Sequence, residues 1–256
     1  MINVFIDGKE GTTGLQIFER LGKRDDIRIS SLSEKLRKDV NARKEQINAA
    51  DIVFLCLPDA AARESVSLCE NKQVKIIDAS TAHRTDPSWA YGFPELSEEH
   101  RKKIAVSRRV AVPGCHASGF ISLVYPLVAG GIVSPDYPFV CHSVTGYSGG
   151  GKKMIAEYEA DGRDGALDSP RQYGTSQMHK HLPEMKAVCG LQCEPVFTPI
   201  VSDFYSGMCV PVPLYGRLLQ KKMPVNDIKS YFAEYYASSN FIQVADEMPA
   251  YLPANE

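Results

Sequence analysis

Three groups of residues have types and spacings that can do chemistry. Cys115 stands between the turn residues Pro113 and Gly114 and an apolar run of helical spacing, in "VPGCHASGFISLV" (112–124). If residues 116–129 form a helix, its free N-terminal N–H groups favour a negative charge at Cys115 and make the thiol a nucleophile. The plain alternative is a buried structural cysteine, as expected of Cys56, Cys69, Cys141 and Cys209. His179 and His181, in "YGTSQMHKHLPEM", share one face of a strand, whereas in a loop one of them can turn inward. An imidazole near a thiolate both stabilises it and moves protons. A cluster of His179, His181, Cys189 and Cys193 follows no common zinc spacing, so no metal is expected.

The third group is glycine-rich. Gly8, Gly11 and Gly14, with Thr12 and Thr13 between them, join a strand signal to a helix signal. Missing side chains let a pyrophosphate approach the backbone at a helix N-terminus, although the spacing departs from G-x-G-x-x-G and a tight turn without a ligand reads the same way. At the end of the second strand signal, in "ISSLSEKLRK", Ser30 and Ser31 stand at the position where the acid that would hold the ribose 2′-hydroxyl of NAD is expected, with Lys35, Arg37 and Lys38 behind them. Hydroxyls and cations suit a 2′-phosphate, hence NADP, while the same cations also suit a solvated helix face. Leu57, Pro58 and Ser80 close two further strand signals, where a parallel sheet places its ligands, and they join the expected cofactor site.

Two more segments carry candidates for substrate. "TGYSGGGKK" (145–153) nearly matches G-x-x-x-x-G-K, but Lys153 replaces the Ser or Thr that would hold magnesium, which argues against a kinase. Ser148, Gly149 and Lys152 can still receive a phosphate, or the stretch is a connector. Arg84, in "DASTAHRTDPSW", can fork onto a carboxylate or brace its own loop.

These groups need elements to hold them. "NVFID", "IRIS", "DIVFLCLP", "VKIIDAS" and "RRVAVPG" read as strands, and "TGLQIFERLG" and "DAAARESVSLCE" as helices between them, so the first half is a parallel α/β lobe of Rossmann type. The second half, with "FVCHSVTG" and "EPVFTPIVSDFYSGMCVPVPLYGRLL", alternates and carries prolines, which predicts an α+β lobe with a mostly antiparallel sheet. Ile228, Tyr231, Phe232, Tyr235 and Tyr236 share one helical face, expected to pack on that sheet. The boundary is placed at residue 113, dividing 1–113 from 114–256. Within 256 residues the formal charge is −2, which gives no footprint for nucleic acid or membrane, and the start "MINVFIDGKEG" carries no signal or spanning segment. A small-molecule partner and a cytoplasmic setting are expected, and the seven cysteines, none in a C-x-x-C pair, are read as reduced.

Taken in order, "GKEGTTG", "FLCLPD", "DASTAHRT", "YGFPEL", "VPGCHASGF", "TGYSGGGKKMI" and "HKHLPEM" resemble the shorter type of N-acetyl-gamma-glutamyl-phosphate reductase over essentially the whole chain. The resemblance implies kinship with aspartate-semialdehyde and glyceraldehyde-phosphate dehydrogenases, and NADPH-dependent formation of N-acetylglutamate semialdehyde for arginine synthesis. It matches Cys115 to the nucleophile and the His179/His181 segment to the catalytic histidine region, with His181 favoured. It also implies a homodimer or homotetramer. The expected chemistry is attack of a Cys115 thiolate on an acyl phosphate, loss of phosphate, and hydride reduction of the thioester. A related acyl-phosphate reductase acting on an aspartyl or carrier-linked glutamyl group, and a non-catalytic NADP-binding protein, are the alternatives. Members of this family continue, after a segment like "NFIQVADEMPAYLPANE", into a strand and a glycine-rich closing helix, whereas the sequence ends at Glu256. Either the sequence stops short of the whole chain or this version lacks the element, and in both cases weakened cofactor affinity and lobe docking are expected.

Overall fold

The structure is a computed structural model that describes residues 1–9, 11–247 and 250. Glu10 of "GKEGTTG" and most of "MPAYLPANE" lie outside the described residues. The chain forms two compact units, Met1–Pro94 with Glu99–Gly114, and Glu95–Glu98 with Cys115–Glu256.

The first unit is built on a six-stranded parallel sheet of β1 (Ile2–Asp7), β2 (Ile27–Ser30), β3 (Ile52–Leu55), β4 (Lys75–Asp78), β5 (Ala90–Tyr91) and β6 (Arg109–Ala111), in the order β2-β1-β3-β4-β6-β5. Helices α1 (Thr12–Leu21), α2 (Val40–Ala49), α3 (Asp59–Leu68) and α4 (Glu98–Val106) alternate with the strands. Strands β1 and β3 bury Phe5, Val53 and Leu55, against which Ile47 of α2 and Ala62 of α3 pack. Each large side chain buried this way contributes roughly 1.5–3 kcal/mol.

Helix α2 escapes the sequence reading for a physical reason. Its "VNARKEQINA" is largely polar, and one of its two buried residues is Arg43. The guanidinium donates Nε to Asp7 Oδ2 at 3.2 Å and its Nη groups to Glu64 and Ser65. Ser65 also donates to Asp7, at 2.7 Å. A buried charge held by this many partners does the anchoring that an apolar stripe does elsewhere.

The second unit begins with α5 (Cys115–Ala129), one residue earlier than its apolar run suggests. Strands β7 (Val140–Gly146), β8 (Arg171–Gln172), β9 (Val196–Ser202) and β10 (Met208–Cys209) form a sheet in the order β10-β7-β9-β8. The two outer pairings are antiparallel and two residues long, whereas β7 and β9 run parallel over seven. The sheet is therefore mixed. Helices α6 (Gly151–Tyr158), α7 (Leu182–Cys189) and α8 (Val225–Tyr235) complete the unit.

The aromatic stripe of α8 binds a helix rather than the sheet. Pro126 lies inside α5 and has no N–H for the Ser122 carbonyl four residues earlier. The Tyr236 hydroxyl donates to that carbonyl at 2.6 Å, and Tyr231 donates to the Pro126 carbonyl at 2.7 Å. Tyr236 thus fills the gap that the proline leaves in the ladder, while Tyr231 adds a second donor to a carbonyl that Gly130 N–H already serves at 2.8 Å.

Candidate active site

In the first unit, β1 ends at Asp7 and the chain turns through Gly8 into α1. Gly8 has φ +88°, and a Cβ there would collide with the Cys56 carbonyl of the neighbouring strand end. A Cβ on Gly14 would lie 2.5 Å from the Gly8 carbonyl oxygen. Gly11 caps α1 without any side chain on the first-turn N–H groups. The turn is closed by Gly11 N–H donating to Gly8 O at 3.1 Å. This is a cradle whose floor tolerates no side chain and whose helix end offers free donors, the form that a dinucleotide pyrophosphate needs.

Above the cradle lies a cavity of about 470 Å³ lined among others by Gly8, Gly11, Arg37, Lys38, Leu57 and Pro58. A smaller cavity of about 180 Å³ touches Gly11, Thr12, Thr13 and Leu57. The residues present fit a nicotinamide dinucleotide. Lys9, Leu32, Glu34 and Cys56 also line the larger cavity, although none of them is among the cofactor residues expected from the sequence. Gly14 sits behind the turn as packing. Ser30 and Ser31 line neither cavity, and Ser30 Oγ lies 3.4 Å from the Val4 carbonyl inside the sheet. Ser80 is buried and donates to Asp78 at 2.7 Å, where His83 Nδ1 also lies 2.6 Å from the same carboxylate, so Ser80 shapes the turn after β4. Arg84 Nε donates to the Val112 carbonyl at 2.9 Å and its Nη2 to the Ala79 carbonyl at 3.2 Å, a bracing arrangement.

The second unit gathers four titratable rings. Cys115 opens α5 and is exposed, while the next residue, His116, is buried at 3 % exposure. Its Nδ1 lies 2.6 Å from Ser143 Oγ on β7 and its Nε2 lies 2.6 Å from the Tyr173 hydroxyl. Around it stand His179 at 5.8 Å and His181 at 5.5 Å between ring centroids, and the rings of His179 and His181 are 4.8 Å apart. They occupy a turn, not a strand: His181 is the residue before α7, buried, and its backbone N–H donates to His179 Nδ1 at 3.2 Å.

Burial sets the charge of this cluster. It lowers the His116 pKa from 6.5 to about 4, with the charges of His179 and Lys180 adding to the effect. Burial, then Lys180, lowers His179 as well. The Tyr173 phenol is pushed up to about 12 by burial and then by the charge of Cys115. At neutral pH the phenol keeps its proton and His116 is uncharged. His179 and His181 thus stand around the ring of His116, the residue next to Cys115, and sequence reasoning missed His116 and Tyr173. Adjacency to Cys115 and a position six residues before His179 were the available signals.

The glycine-rich stretch is ordered rather than a loose connector. The N–H groups of Gly146, Tyr147 and Ser148 donate to the carbonyls of Gly207, Phe204 and Tyr205 at 2.9–3.1 Å. Those donors are taken. What the stretch leaves for an anion is the Ser148 hydroxyl, exposed Gly149 and exposed Lys152 near the start of α6. Among the described residues no group of three His, Cys, Asp or Glu is arranged to hold a metal ion, and no helix is long and apolar enough to cross a membrane.

A Rossmann-type unit with a side-chain-free turn, followed by a unit that opens on a cysteine beside histidines, defines a class. The semialdehyde dehydrogenase NAD binding domain matches residues 20–104, and the semialdehyde dehydrogenase dimerisation domain matches residues 115–254. An aspartate semialdehyde dehydrogenase from Francisella tularensis shares the fold, with a TM-score of 0.65 at 15 % identity over 92 % of this chain and 81 % of that one. Within that class the chain belongs to the N-acetyl-gamma-glutamyl-phosphate reductase family. It is 45 % identical over 243 residues to N-acetyl-gamma-glutamyl-phosphate reductase 2 of Pseudomonas putida, covering 94 % of this chain and 77 % of that protein. The N-acetyl-gamma-glutamyl-phosphate reductase of Chelativorans sp. is 47 % identical over 234 residues, 91 % of this chain and 75 % of that protein.

Proposed function

We propose that this protein reduces N-acetyl-gamma-glutamyl phosphate to N-acetyl-L-glutamate 5-semialdehyde, a step of arginine biosynthesis, through a thioester on Cys115. The observation that carries the reading is the placing of Cys115 at the first turn of α5, next in the chain to His116, whose ring stands among those of Tyr173, His179 and His181. Cys115 Sγ, as thiolate, attacks the acyl carbon; the carbon to phosphate-oxygen bond breaks and inorganic phosphate leaves. When bound to the first unit, a nicotinamide cofactor supplies the hydride that takes the acyl carbon to the aldehyde level. The oxygen of the acyl group is held by the α5 N-terminus and the Tyr173 hydroxyl while it carries negative charge. His181 acts as the acid and base, with His179 fixing its backbone, and the carbon–sulfur bond then breaks to return the thiolate.

The cofactor assigned is NADP, because Arg37 and Lys38 line the larger cavity and both suit a 2′-phosphate. Ser148, Gly149 and Lys152 are assigned to the leaving phosphate, and Arg84 to the substrate carboxylate. The match to a dimerisation domain supports a homodimer or homotetramer, and the setting assigned is the cytoplasm.

The test is run in the direction of oxidation. Reduction of NADP by N-acetylglutamate semialdehyde is expected to require phosphate or arsenate, and to be faster than with aspartate semialdehyde. An equal rate without either anion overturns the acyl-phosphate route.

A further inference from the structure

His116 is neither nucleophile nor, at a pKa near 4, a base suited to neutral pH, yet it occupies the centre of the cluster. A buried neutral imidazole has one donor and one acceptor nitrogen, so its two partners fix each other. One partner, Ser143, is fully buried at 0 % exposure, and its hydroxyl has no other hydrogen-bond partner among the described residues. Buried hydroxyls place their proton on an acceptor where one is within reach. The Ser143 proton therefore goes to Nδ1, at 2.6 Å, and the ring proton must sit on Nε2. Nε2–H in turn donates to the Tyr173 oxygen, 2.6 Å away, so the phenol proton cannot point back at His116.

We propose that Ser143 and His116 form a two-residue relay whose role is to aim the Tyr173 hydroxyl proton outward, to the sulfur and oxyanion side of Cys115. This rests on the reading of Cys115 as the nucleophile and adds two positioning residues to it. With the opposite tautomer Tyr173 would donate to Nε2 and present only lone pairs, which repel a thiolate and an oxyanion. The relay therefore decides whether the phenol helps or hinders. The relay and the phenol it aims come from three separate parts of the second unit: the first turn of α5, the middle of β7 and the residue after β8. None is marked by a sequence motif of its own.

The direct test is the tautomer. In the intact protein with ¹⁵N-labelled histidine, the His116 ring is expected to be protonated on Nε2 and to show no titration between about pH 6 and 8; a ring protonated on Nδ1 overturns the proposal. The functional test is a double-mutant cycle between His116→Phe and Tyr173→Phe. Each alone is expected to lower kcat about 10- to 100-fold with KM changed less than about twofold, and the pair to cost no more than either one. His116→Gln, which can still donate to Tyr173, is expected to recover most of the loss. Multiplying losses, or a Gln variant as poor as Phe, would mean that His116 is only packing.

The same cycle read as the rate of Cys115 alkylation by iodoacetamide needs no turnover. Each variant is expected to slow alkylation several-fold and the pair no further. If the assigned substrate is not turned over but alkylation shows this coupling, the substrate assignment fails and the relay stands. If alkylation is unaffected by His116→Phe, the relay fails whatever the enzyme reduces.

Discussion

The Tyr236 hydroxyl serves the Ser122 carbonyl, 2.6 Å away, in place of the N–H that Pro126 lacks. This bond sits in the middle of the helix that presents Cys115. Tyr236→Phe leaves a carbonyl inside α5 without its donor and is expected to lower unfolding free energy by about 1–3 kcal/mol in urea titration. A change below about 0.5 kcal/mol, the range of neutral surface substitutions, would show that the bond contributes nothing.

The cofactor turn depends on missing side chains. Gly14→Ala drives a methyl group against the Gly8 carbonyl, and Gly8→Ala combines a positive φ with a clash on the Cys56 carbonyl. Both are expected to weaken NADPH binding by at least about tenfold in fluorescence titration, the equivalent of roughly 1.4 kcal/mol. Unchanged affinity in Gly14→Ala would mean that the dinucleotide does not use this turn.

Arg37 and Lys38 are assigned to a group that NADP has and NAD lacks. Replacing either with alanine is expected to lower kcat/KM for NADP about tenfold, as loss of a charge-assisted bond does, and to leave NAD nearly unaffected. Equal losses for the two cofactors would place these cations outside the 2′-phosphate site. Ser30→Ala is expected to change neither, because its hydroxyl lies against the Val4 carbonyl.

Stability has a defined pH dependence. The buried ring of His116 has its pKa lowered from 6.5 to about 4, so between those values the unfolded chain binds the proton first. The neutral ring is accommodated in full above pH 6.5, and stability falls as the pH falls toward 4. The whole effect is about 3 kcal/mol at roughly 1.4 kcal/mol per unit. His179, lowered by burial and Lys180, acts in the same direction. Comparing urea midpoints of the wild type and His116→Phe from pH 7 to 4.5 checks this: the gap between them should change steadily in favour of the variant as the pH falls. A constant gap would mean that the ring takes up its proton in the folded state.

The strands of the first unit could be read because Val4, Phe5, Ile6, Val53, Leu55 and Ile76 are buried in short apolar runs with turns on both sides. Helix α2 could not, since Arg43 takes a core position through ion pairs that no periodicity reveals. Seven parallel residue pairs between β7 and β9 look like any alternating strand until the partner is known. The same limit applies at the site. Cysteine before a helix, glycines in a turn and two nearby histidines are local signals. Ser30 and Ser31 are candidates by offset from a motif and Ser80 by its place at a strand end, but a contact with the neighbouring strand occupies Ser30 and a local bond to Asp78 occupies Ser80. His116 and Tyr173 acquire meaning only through contacts 27 and 57 residues apart in the chain.

The central claim is that one sulfur atom carries the acyl group. Enzyme mixed with N-acetyl-gamma-glutamyl phosphate in the absence of reduced cofactor, quenched in acid and digested, should yield the peptide containing Cys115 with an added N-acetylglutamyl group, released by hydroxylamine. An unmodified Cys115 peptide, from enzyme that turns over normally once NADPH is supplied, would contradict the account.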